Sequence, residues 1–332
     1  GIAINIQPPE NYVRWARICA GIIRHYNEGW ANGFHMNIQY WEIWNEPESK
    51  CMWTGTSEEF NEFYATVAVF LKQEFPELKF GGCGNIGFYP VTRGCMSCFD
   101  KEEYATLFDR TGAFLSLIKK RKAPLDFFSW HLYSGDPEEY RIHTETAACL
   151  MKEYGFENTE LILDEWNHEN IDVICKLKGA ALAAAVLCVL QDTSVEIANY
   201  YDAQCYSSYN GLFGIDEMNK LIRLKAYYAM LAFGQLYRLG NNVFTECDAG
   251  IYGCAAIKGA EAAVLIVNYN DREEQIRVDL SGLPDANYSV TTCSLDEENN
   301  LEPVKHEVVC GGKYVLYNTL QAETVVLLSH KK

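Results

Sequence analysis

The stretch "YWEIWNEP", residues 40–47, decides the fold because it reads as a buried strand that ends on polar residues. Its aromatic and β-branched residues favour a strand, and Asn45, Glu46 and Pro47 end it. A carboxylate at the end of a buried strand needs a reason, since burying a charge is costly. In a β/α barrel, functional side chains lie where the strands end. Glu46 is therefore a candidate for chemistry, at a barrel mouth where aromatic neighbours such as Trp44 partly remove a carboxyl group from water and keep it protonated.

Strand-like runs alternate with helical patterns over the first 240 residues. The runs begin near residues 38, 78, 125, 160 and 196, and apolar residues at helical spacing predict helices over 11–26, 58–75, 104–122, 138–154, 179–191 and 221–236. Ser57 is the predicted N-cap of the second helix. Alternation of this kind is typical of an α/β fold with a parallel sheet.

After about residue 242 the helical patterns stop, and strand-like runs punctuated by turn residues replace them. These runs predict a small antiparallel β domain. We therefore expect two domains, an α/β domain over residues 1–240 and a β-sandwich over residues 241–332.

Composition excludes two classes of partner. The chain has 332 residues, of which 48% are apolar, and 28 Lys and Arg stand against 45 Asp and Glu, so that the net charge is −17. A nucleic acid or an anionic membrane is not expected to bind such a surface. The most apolar helical run, residues 179–191, is shorter than the roughly 20 residues that a membrane span needs, so we interpret it as a core helix.

The thirteen cysteines are scattered through apolar segments. Their odd number and their setting favour reduced, buried thiols, and hence a reducing compartment and a cytoplasmic location. Cys95 and Cys98 have CxxC spacing, but a second pair that would complete a zinc site is missing. We expect neither a metal nor another cofactor.

Polar residues end three of the predicted strands. Glu46 and Glu165 end two different strands, and His131 lies near the end of a third. Retaining glycoside hydrolysis uses two carboxyl groups about 5 to 5.5 Å apart, so this pair favours that reaction. Each residue also has an interpretation without a function. Glu46 is then a solvated loop residue and Glu165 an ordinary acidic strand end. His131 and Tyr133 are then packed core residues. Glu42 lies too far down its strand to reach the same bond, and we expect it to be a satisfied interior carboxylate.

The stretches "YWEIWNEP", "MWTGTSEEFNEFY", "DFFSWHLYSG", "LILDEWN" and "LKAYYAMLAF" resemble clan A glycoside hydrolases, and most closely family 39 β-xylosidases, over most of residues 8–236. The resemblance implies that Glu46 is the general acid/base and Glu165 the nucleophile. It implies that Asn45 holds the 2-hydroxyl of the sugar and that His131 and Tyr133 flank the nucleophile. Further sugar contacts are expected from Trp53, Trp166 and Asp202.

The same resemblance implies a (β/α)8 TIM barrel followed by an antiparallel β-sandwich. Only strands 4 to 8 of such a barrel are found in this sequence, so we expect strands 1 to 3 from another polypeptide or from a preceding segment. A homo-oligomer is left open.

The expected function is that of a retaining exo-glycosidase in xylan degradation, with a small oligosaccharide or glycoside, first of all a β-D-xyloside, as its substrate. The motif "DEWN" resembles that of family 51 α-L-arabinofuranosidases, so an α-L-arabinofuranosidase is the alternative. A non-catalytic carbohydrate-binding pseudo-enzyme is the alternative of another class.

Overall fold

The computed structural model of the chain describes residues 5–93, 106–173, 175–204 and 211–331. The chain divides into two compact units. The first unit consists of Gly1–Leu132, Ile142–Trp166 and Ser194–Asn199, and the second consists of Tyr133–Arg141, Asn167–Thr193 and Tyr200–Lys332.

A five-stranded sheet forms the centre of the α/β part. Its strands lie in the same order as in the sequence, namely β1 (Tyr40–Glu42), β2 (Lys79–Gly81), β3 (Phe127–Tyr133), β4 (Glu160–Asn167) and β5 (Val195–Tyr200). Strand β1 pairs with β2, and β2 with β3, in parallel. Parallel strands in sequential order with helices between them make a half-barrel, which confirms the predicted α/β class in its coarse form.

Helix α1 (Tyr12–Asn27) precedes β1. The helices between the strands include α2 (Ser57–Glu74), α3 (Tyr89–Thr92), α4 (Leu107–Arg121) and α5 (Pro137–Tyr154). Helix α2 begins with a capping box, in which the Thr56 side chain accepts from Glu59 N at 3.1 Å and the Glu59 carboxylate accepts from Thr56 N at 2.8 Å. The predicted N-cap, Ser57, was therefore wrong by one residue, because the extended backbone and the capping hydrogen bonds both belong to Thr56.

Aromatic side chains fill much of the core of the first unit. The Trp53 ring packs edge-on against Trp44 and Phe60, with ring centroids 5.1 and 5.3 Å apart. Beneath the sheet, Phe128 stacks on Trp130 at 6.4 Å. Such ring pairs add to the stabilisation that burial of their apolar surface provides.

The second unit contains the helices α6 (Leu177–Leu190) and α7 (Lys225–Leu239) and a hairpin of β6 (Phe213–Ile215) and β7 (Leu221–Arg223). The helix predicted over 221–236 thus begins only at Lys225, and the first residues of its apolar pattern form β7 instead. A short apolar run fits a strand as well as a helix, so periodicity alone did not separate the two.

The carboxyl-terminal strands of the second unit form one six-stranded sheet. They are β8 (Asn241–Val243), β9 (Ile251–Lys258), β10 (Glu261–Asn268), β11 (Glu274–Leu295), β12 (Asn300–Leu320) and β13 (Val325–Lys331), in the spatial order β12-β11-β13-β10-β9-β8. Every strand pair given for this sheet is antiparallel, as predicted. Apolar side chains of one face, among them Val264, Ile266 and Leu328, form a buried cluster.

The cysteines only partly match the expectation of reduced, buried thiols. Cys83, Cys188 and Cys254 are free and buried, but Cys51 is free and exposed, and Cys175 is disulfide-bonded. The prediction of thiols alone was therefore wrong for Cys175. Cys95 and Cys98 lie outside the described residues.

In the part of the chain that the structure describes, no helix combines the length and the apolarity that crossing a membrane requires.

Candidate active site

The backbone after β1 places Glu46 at the end of the sheet. Ile43 N donates to Gly81 O and Glu46 N donates to Gly84 O, both at 3.0 Å, so the segment continues beside the residues that follow β2. Trp44 and Glu46 have left-handed backbones, with φ of 76° and 45°. Such angles are uncommon for residues other than glycine and tend to occur at functional sites, where the surrounding structure holds them in place.

His131, near the end of β3, joins the two candidate carboxylates. Its Nδ1 atom lies 2.8 Å from Glu46 Oε1 and 3.2 Å from Glu165 Oε2. The His131 side chain is only 2% exposed, whereas those of Glu46 and Glu165 are 23% and 24% exposed. One side-chain atom from each of the three residues lies within 4.8 Å of the other two. Residues from three separate strand ends thus meet at one point that solvent can reach.

The charge of His131 follows from its neighbours. Burial by itself would lower the pKa of His131, but the nearby Asp164 carboxylate, the hydrogen bond with Glu46 and the negative charge of Glu165 outweigh it and raise the pKa to about 10. Nε2, on the other edge of the ring, lies 3.4 Å from Asp164 Oδ2. His131 is therefore an imidazolium at neutral pH.

The positions of Glu46, His131 and Glu165 would also bring three ligand atoms near one metal ion. A histidine binds a metal through the lone pair of a neutral ring nitrogen, which an imidazolium lacks. While His131 keeps both ring protons, the group lacks its nitrogen ligand and does not make a metal centre in this protonation state. It fits a pair of carboxyl groups that can act as acid and nucleophile on either side of one bond.

Gly84 makes room for this arrangement. Its φ is +58°, and a Cβ atom at this position would lie 2.9 Å from His131 Nε2, 3.3 Å from Asn45 Oδ1 and 3.4 Å from Asp164 Oδ2. A real Cβ could not approach the ring that closely, so glycine is required both for the backbone angle and for the space. Asn45 itself is exposed, as a residue that contacts a substrate must be.

Four further residues were predicted at the site, namely Trp53, Trp166, Tyr133 and Asp202. Trp53 is 1% exposed and donates from Nε1 to Thr56 O at 3.0 Å, so a sugar could contact it only if the aromatic core opened. Trp166 is also buried. Tyr133 and Asp202 belong to the second compact unit, where Asp202 Oδ1 accepts from Gln204 N at 2.7 Å. Sugar contacts by these four residues remain predictions.

The sequence pattern did not mark Asp164 as a site residue. Asp164 precedes Glu165 in β4, and neighbours in a strand point to opposite faces, so only one of the two was expected at the site. The two edges of the His131 ring nevertheless contact both carboxylates. The only signal in the sequence that could have indicated Asp164 was His131, a side chain able to contact two neighbouring positions of a strand.

Glu42 is hydrogen-bonded, as predicted, because Ser129 Oγ donates to its Oε1 atom. The residue is nevertheless exposed, so the prediction of an interior position was wrong. Although part of the residue contacts solvent, desolvation of the carboxyl end and the nearby Asp164 charge raise the pKa of Glu42 to about 8.

Glu48 is a second carboxyl group near the site that sequence reasoning missed. Glu48 follows Glu46 by two residues and is buried. Its Oε1 atom accepts a hydrogen bond from Asn85 Nδ2. Burial raises the pKa of Glu48 to about 7. This hydrogen bond ties the loop after β1 to the residues after β2, and thereby helps to fix Glu46.

The sequence of this chain is similar to that of a known enzyme. The chain is 24% identical over 230 residues to a β-xylosidase of Geobacillus stearothermophilus, a match that covers 63% of this chain and 41% of that protein. The chain thus spans less than half the length of this relative.

Two solved structures share the fold. A glucosidase from Croceicoccus marinus superposes with a TM-score of 0.81 at 23% identity, over 100% of this chain and 77% of that one. A monomeric β-xylosidase from Caulobacter crescentus superposes with a TM-score of 0.73 at 15% identity, over 98% and 76%.

The resemblance that the motifs carry is confirmed by a match to a protein family. Residues 2–249 match the family described as Glycosyl hydrolases family 39, so the match covers well over half of the chain and includes Glu46, His131 and Glu165. The chain belongs to glycosyl hydrolase family 39.

Proposed function

We propose that the protein containing this chain is a retaining exo-glycosidase that hydrolyses β-D-xylosides in plant-polysaccharide fragments. The observation that carries the proposal is the separation of the two carboxyl groups, since an oxygen of Glu46 and an oxygen of Glu165 lie within 4.8 Å of each other. Retaining enzymes need a short separation of about 5 to 5.5 Å, whereas inverting enzymes need about 6.5 to 9.5 Å to fit a water molecule.

The roles follow from the reaction. Glu165 attacks the anomeric carbon while Glu46 gives a proton to the departing oxygen, and the sugar becomes covalently bound to Glu165. Glu46 then takes a proton from water, which attacks the same carbon and releases the sugar with Glu165 restored as a carboxylate. Asn45 is the proposed partner of the 2-hydroxyl.

Aryl glycosides test the reaction and the sugar together. We expect faster hydrolysis of an aryl β-D-xylopyranoside than of an aryl α-L-arabinofuranoside, with an aryl β-D-glucoside added because one structural relative is a glucosidase. The reverse order between the first two by about tenfold, or 1.4 kcal/mol, would favour the arabinofuranosidase. Sugar binding without turnover of any substrate would favour the pseudo-enzyme.

Substitutions separate the two roles. Glu46→Ala should slow substrates with poor leaving groups by about a hundred- to ten-thousandfold and activated aryl glycosides much less, because only the former need the proton. Glu165→Ala should abolish turnover of both. Glu145→Ala, an exposed glutamate on α5, is the control and should leave the rates unchanged. Equal losses on both substrate types for Glu46→Ala would contradict the assignment.

We also propose that the half-barrel is part of a (β/α)8 barrel, of which it supplies strands 4 to 8. Strand β1 lies at the edge of the described sheet, and apolar residues of α1 and the loop after it are exposed, with Ile18 at 58% and Trp30 at 59%. Edges and apolar faces of this kind are normally covered. The residues that cover them would come from another polypeptide or from a preceding segment.

Analysis of the active material by intact mass tests this proposal. We expect about 100 further residues, because three of the eight βα units of a usual barrel of about 250 residues need roughly that many. Active, monomeric protein of residues 1–332 alone would contradict it.

The domain boundary near residue 240, a β-sandwich over residues 241–332 and a cytoplasmic location remain predictions from the sequence. The disulfide at Cys175 counts against the last of these, since structural disulfides are rare in the cytosol.

A further inference from the structure

Two carboxyl groups beside the proposed site have no part in the double displacement. Asp164 lies on β4, next to the proposed nucleophile, and Glu42 lies at the end of β1. Asp164 faces the Nε2 edge of the His131 ring at 3.4 Å, opposite the edge that contacts Glu46 and Glu165. Glu42 lies beside Asp164 and acts electrostatically on both Asp164 and His131.

The hydrogen-bonding capacity of an imidazole ring restricts the state of His131. A neutral ring has one N–H group, so it can donate at one edge only, and an imidazolium donates at both. Carboxylate oxygens face both edges of His131, and the side chain is too buried for water to take the place of either partner. The positive state therefore turns an N–H group toward a carboxylate at both edges. It faces Glu46 and Glu165 at Nδ1, and Asp164 at Nε2, where the 3.4 Å contact is an ion pair rather than a hydrogen bond.

Asp164 and Glu42 are neighbouring carboxyl groups, and the Asp164 charge acts on Glu42. Ser129 Oγ donates to Glu42 Oε1. Oδ1 of Asp164 is buried and has no hydrogen-bond partner among the described residues, so a second negative charge beside it would be uncompensated. With both groups ionised the pair would repel, and a single proton on Glu42 removes that repulsion.

We infer that Asp164 is a positioning residue that holds His131 as an imidazolium between Glu46 and Glu165. This inference rests on the proposed function for its kinetic consequences only. The charged ring would attract both carboxyl groups and hold Glu46 at a fixed distance from Glu165.

The titratable groups that face His131 come from every element around it. They are Glu42 at the end of β1, Glu46 in the loop after it, and Asp164 and Glu165 on β4; Cys83 after β2 lies beside Glu42 and Asp164. Cys83 stays a neutral thiol, because burial raises its pKa well above the usual range. The charge on His131 therefore depends on the four carboxyl groups.

The test compares Asp164→Asn with Glu42→Gln in the whole protein. The ring nitrogens of His131 are followed by NMR as a function of pH in protein labelled at its histidines, and the His131 signal is identified by its loss in His131→Gln. Asp164→Asn removes the negative charge at constant shape, so the proton affinity of His131 should fall by about tenfold or more, which is one pKa unit. Glu42→Gln imitates the protonated group. Because Glu42 is ionised before His131 titrates, the pKa of His131 should fall in this variant too, but by less than in Asp164→Asn.

The pH dependence gives a second readout. In the unchanged protein, Glu42 loses its proton as pH rises through about 8, and the His131 signal should shift a second time there. That shift should be absent from Glu42→Gln. Asp164→Asn should lower kcat with little change in KM and move the alkaline limit of activity to lower pH. Asp164→Glu keeps the charge, so its kcat and its alkaline limit of activity should lie closer to those of the unchanged protein. This variant also provides the test if Asp164→Asn does not fold.

Two results would overturn the inference. The first is an unchanged pKa of His131 in Asp164→Asn, and the second is an equal fall of that pKa in Glu42→Gln, which would place the charge on Glu42. Because the NMR titration does not depend on turnover, it tests the inference even if the protein hydrolyses no glycoside, an outcome that would reject the proposed function alone.

Discussion

Replacement of Gly84 by alanine tests whether the site is packed as the structure indicates. The added methyl group would lie 2.9 Å from His131 Nε2, on a backbone with φ of +58°. His131 is buried and held at both ring edges, so it cannot move aside without loss of a contact to Asp164 or Glu46. We expect the variant to lose both stability and activity.

The stability loss has two parts. A left-handed residue other than glycine costs about 1–2 kcal/mol, and an extra methyl group in a packed site costs about 1–3 kcal/mol. Together they lower the free energy of unfolding by about 2–5 kcal/mol. Gly155→Ala is the matched control, because Gly155 also has a positive φ, +77°, but an added Cβ would meet only the end of the flexible, exposed Lys119 side chain. The control should show only the cost of the left-handed backbone, about 1–2 kcal/mol.

Urea denaturation followed by tryptophan fluorescence measures both variants, since both glycines and all seven tryptophans of the chain belong to the first compact unit. Initial rates on an aryl glycoside measure the activity. If Gly84→Ala costs no more than Gly155→Ala and keeps full activity, then His131 does not pack against Gly84, and the geometry from which its charge was argued would be rejected.

Two further predictions concern the scaffold around the site. Thr56→Ala should lower the free energy of unfolding by about 1 kcal/mol because it removes the capping box with Glu59, whereas Thr56→Ser keeps the hydroxyl and should be nearly neutral; equal effects in chemical denaturation would exclude the cap as the cause. Leu265→Ala should cost about 2–5 kcal/mol by calorimetry, because Leu265 is fully buried in β10. The exposed Leu221→Ala should stay within about 0.5 kcal/mol, and a large loss there would show that β7 packs against something.

The sequence predicted much of the fold because local patterns determine it. Strand β4 was predicted over residues 160–167 and is found there, since a continuous apolar run with a polar end has one reading in an α/β fold. Helix α1 was predicted within one residue at each end, and its cap, Asn11, accepts from Arg14 N at 2.9 Å. Where two local readings competed, at residues 221–223, the pattern gave the wrong element.

The candidate site was predictable only in part. Glu46, His131 and Glu165 were identified because each lies at a strand end, and the ends of parallel strands meet at one edge of a sheet. The His131 ring contacts both glutamates and Asp164. These contacts depend on distances between separate strands, and a local sequence pattern does not contain such distances. The left-handed backbone at Trp44 and Glu46 was equally hidden, since neither residue type favours it.

The imidazolium between the two glutamates also has a consequence for inhibitor design. Many sugar mimics carry a basic nitrogen so that a cation can pair with the carboxylates of a glycosidase. Here a cation already lies 2.8 and 3.2 Å from those carboxylates, on a ring that is almost fully enclosed. A second positive charge would meet repulsion from His131 as well as attraction from Glu46 and Glu165. Neutral mimics with hydroxyl groups that donate to the exposed oxygens of Glu46 and Glu165 are therefore the better starting point for a tight-binding ligand.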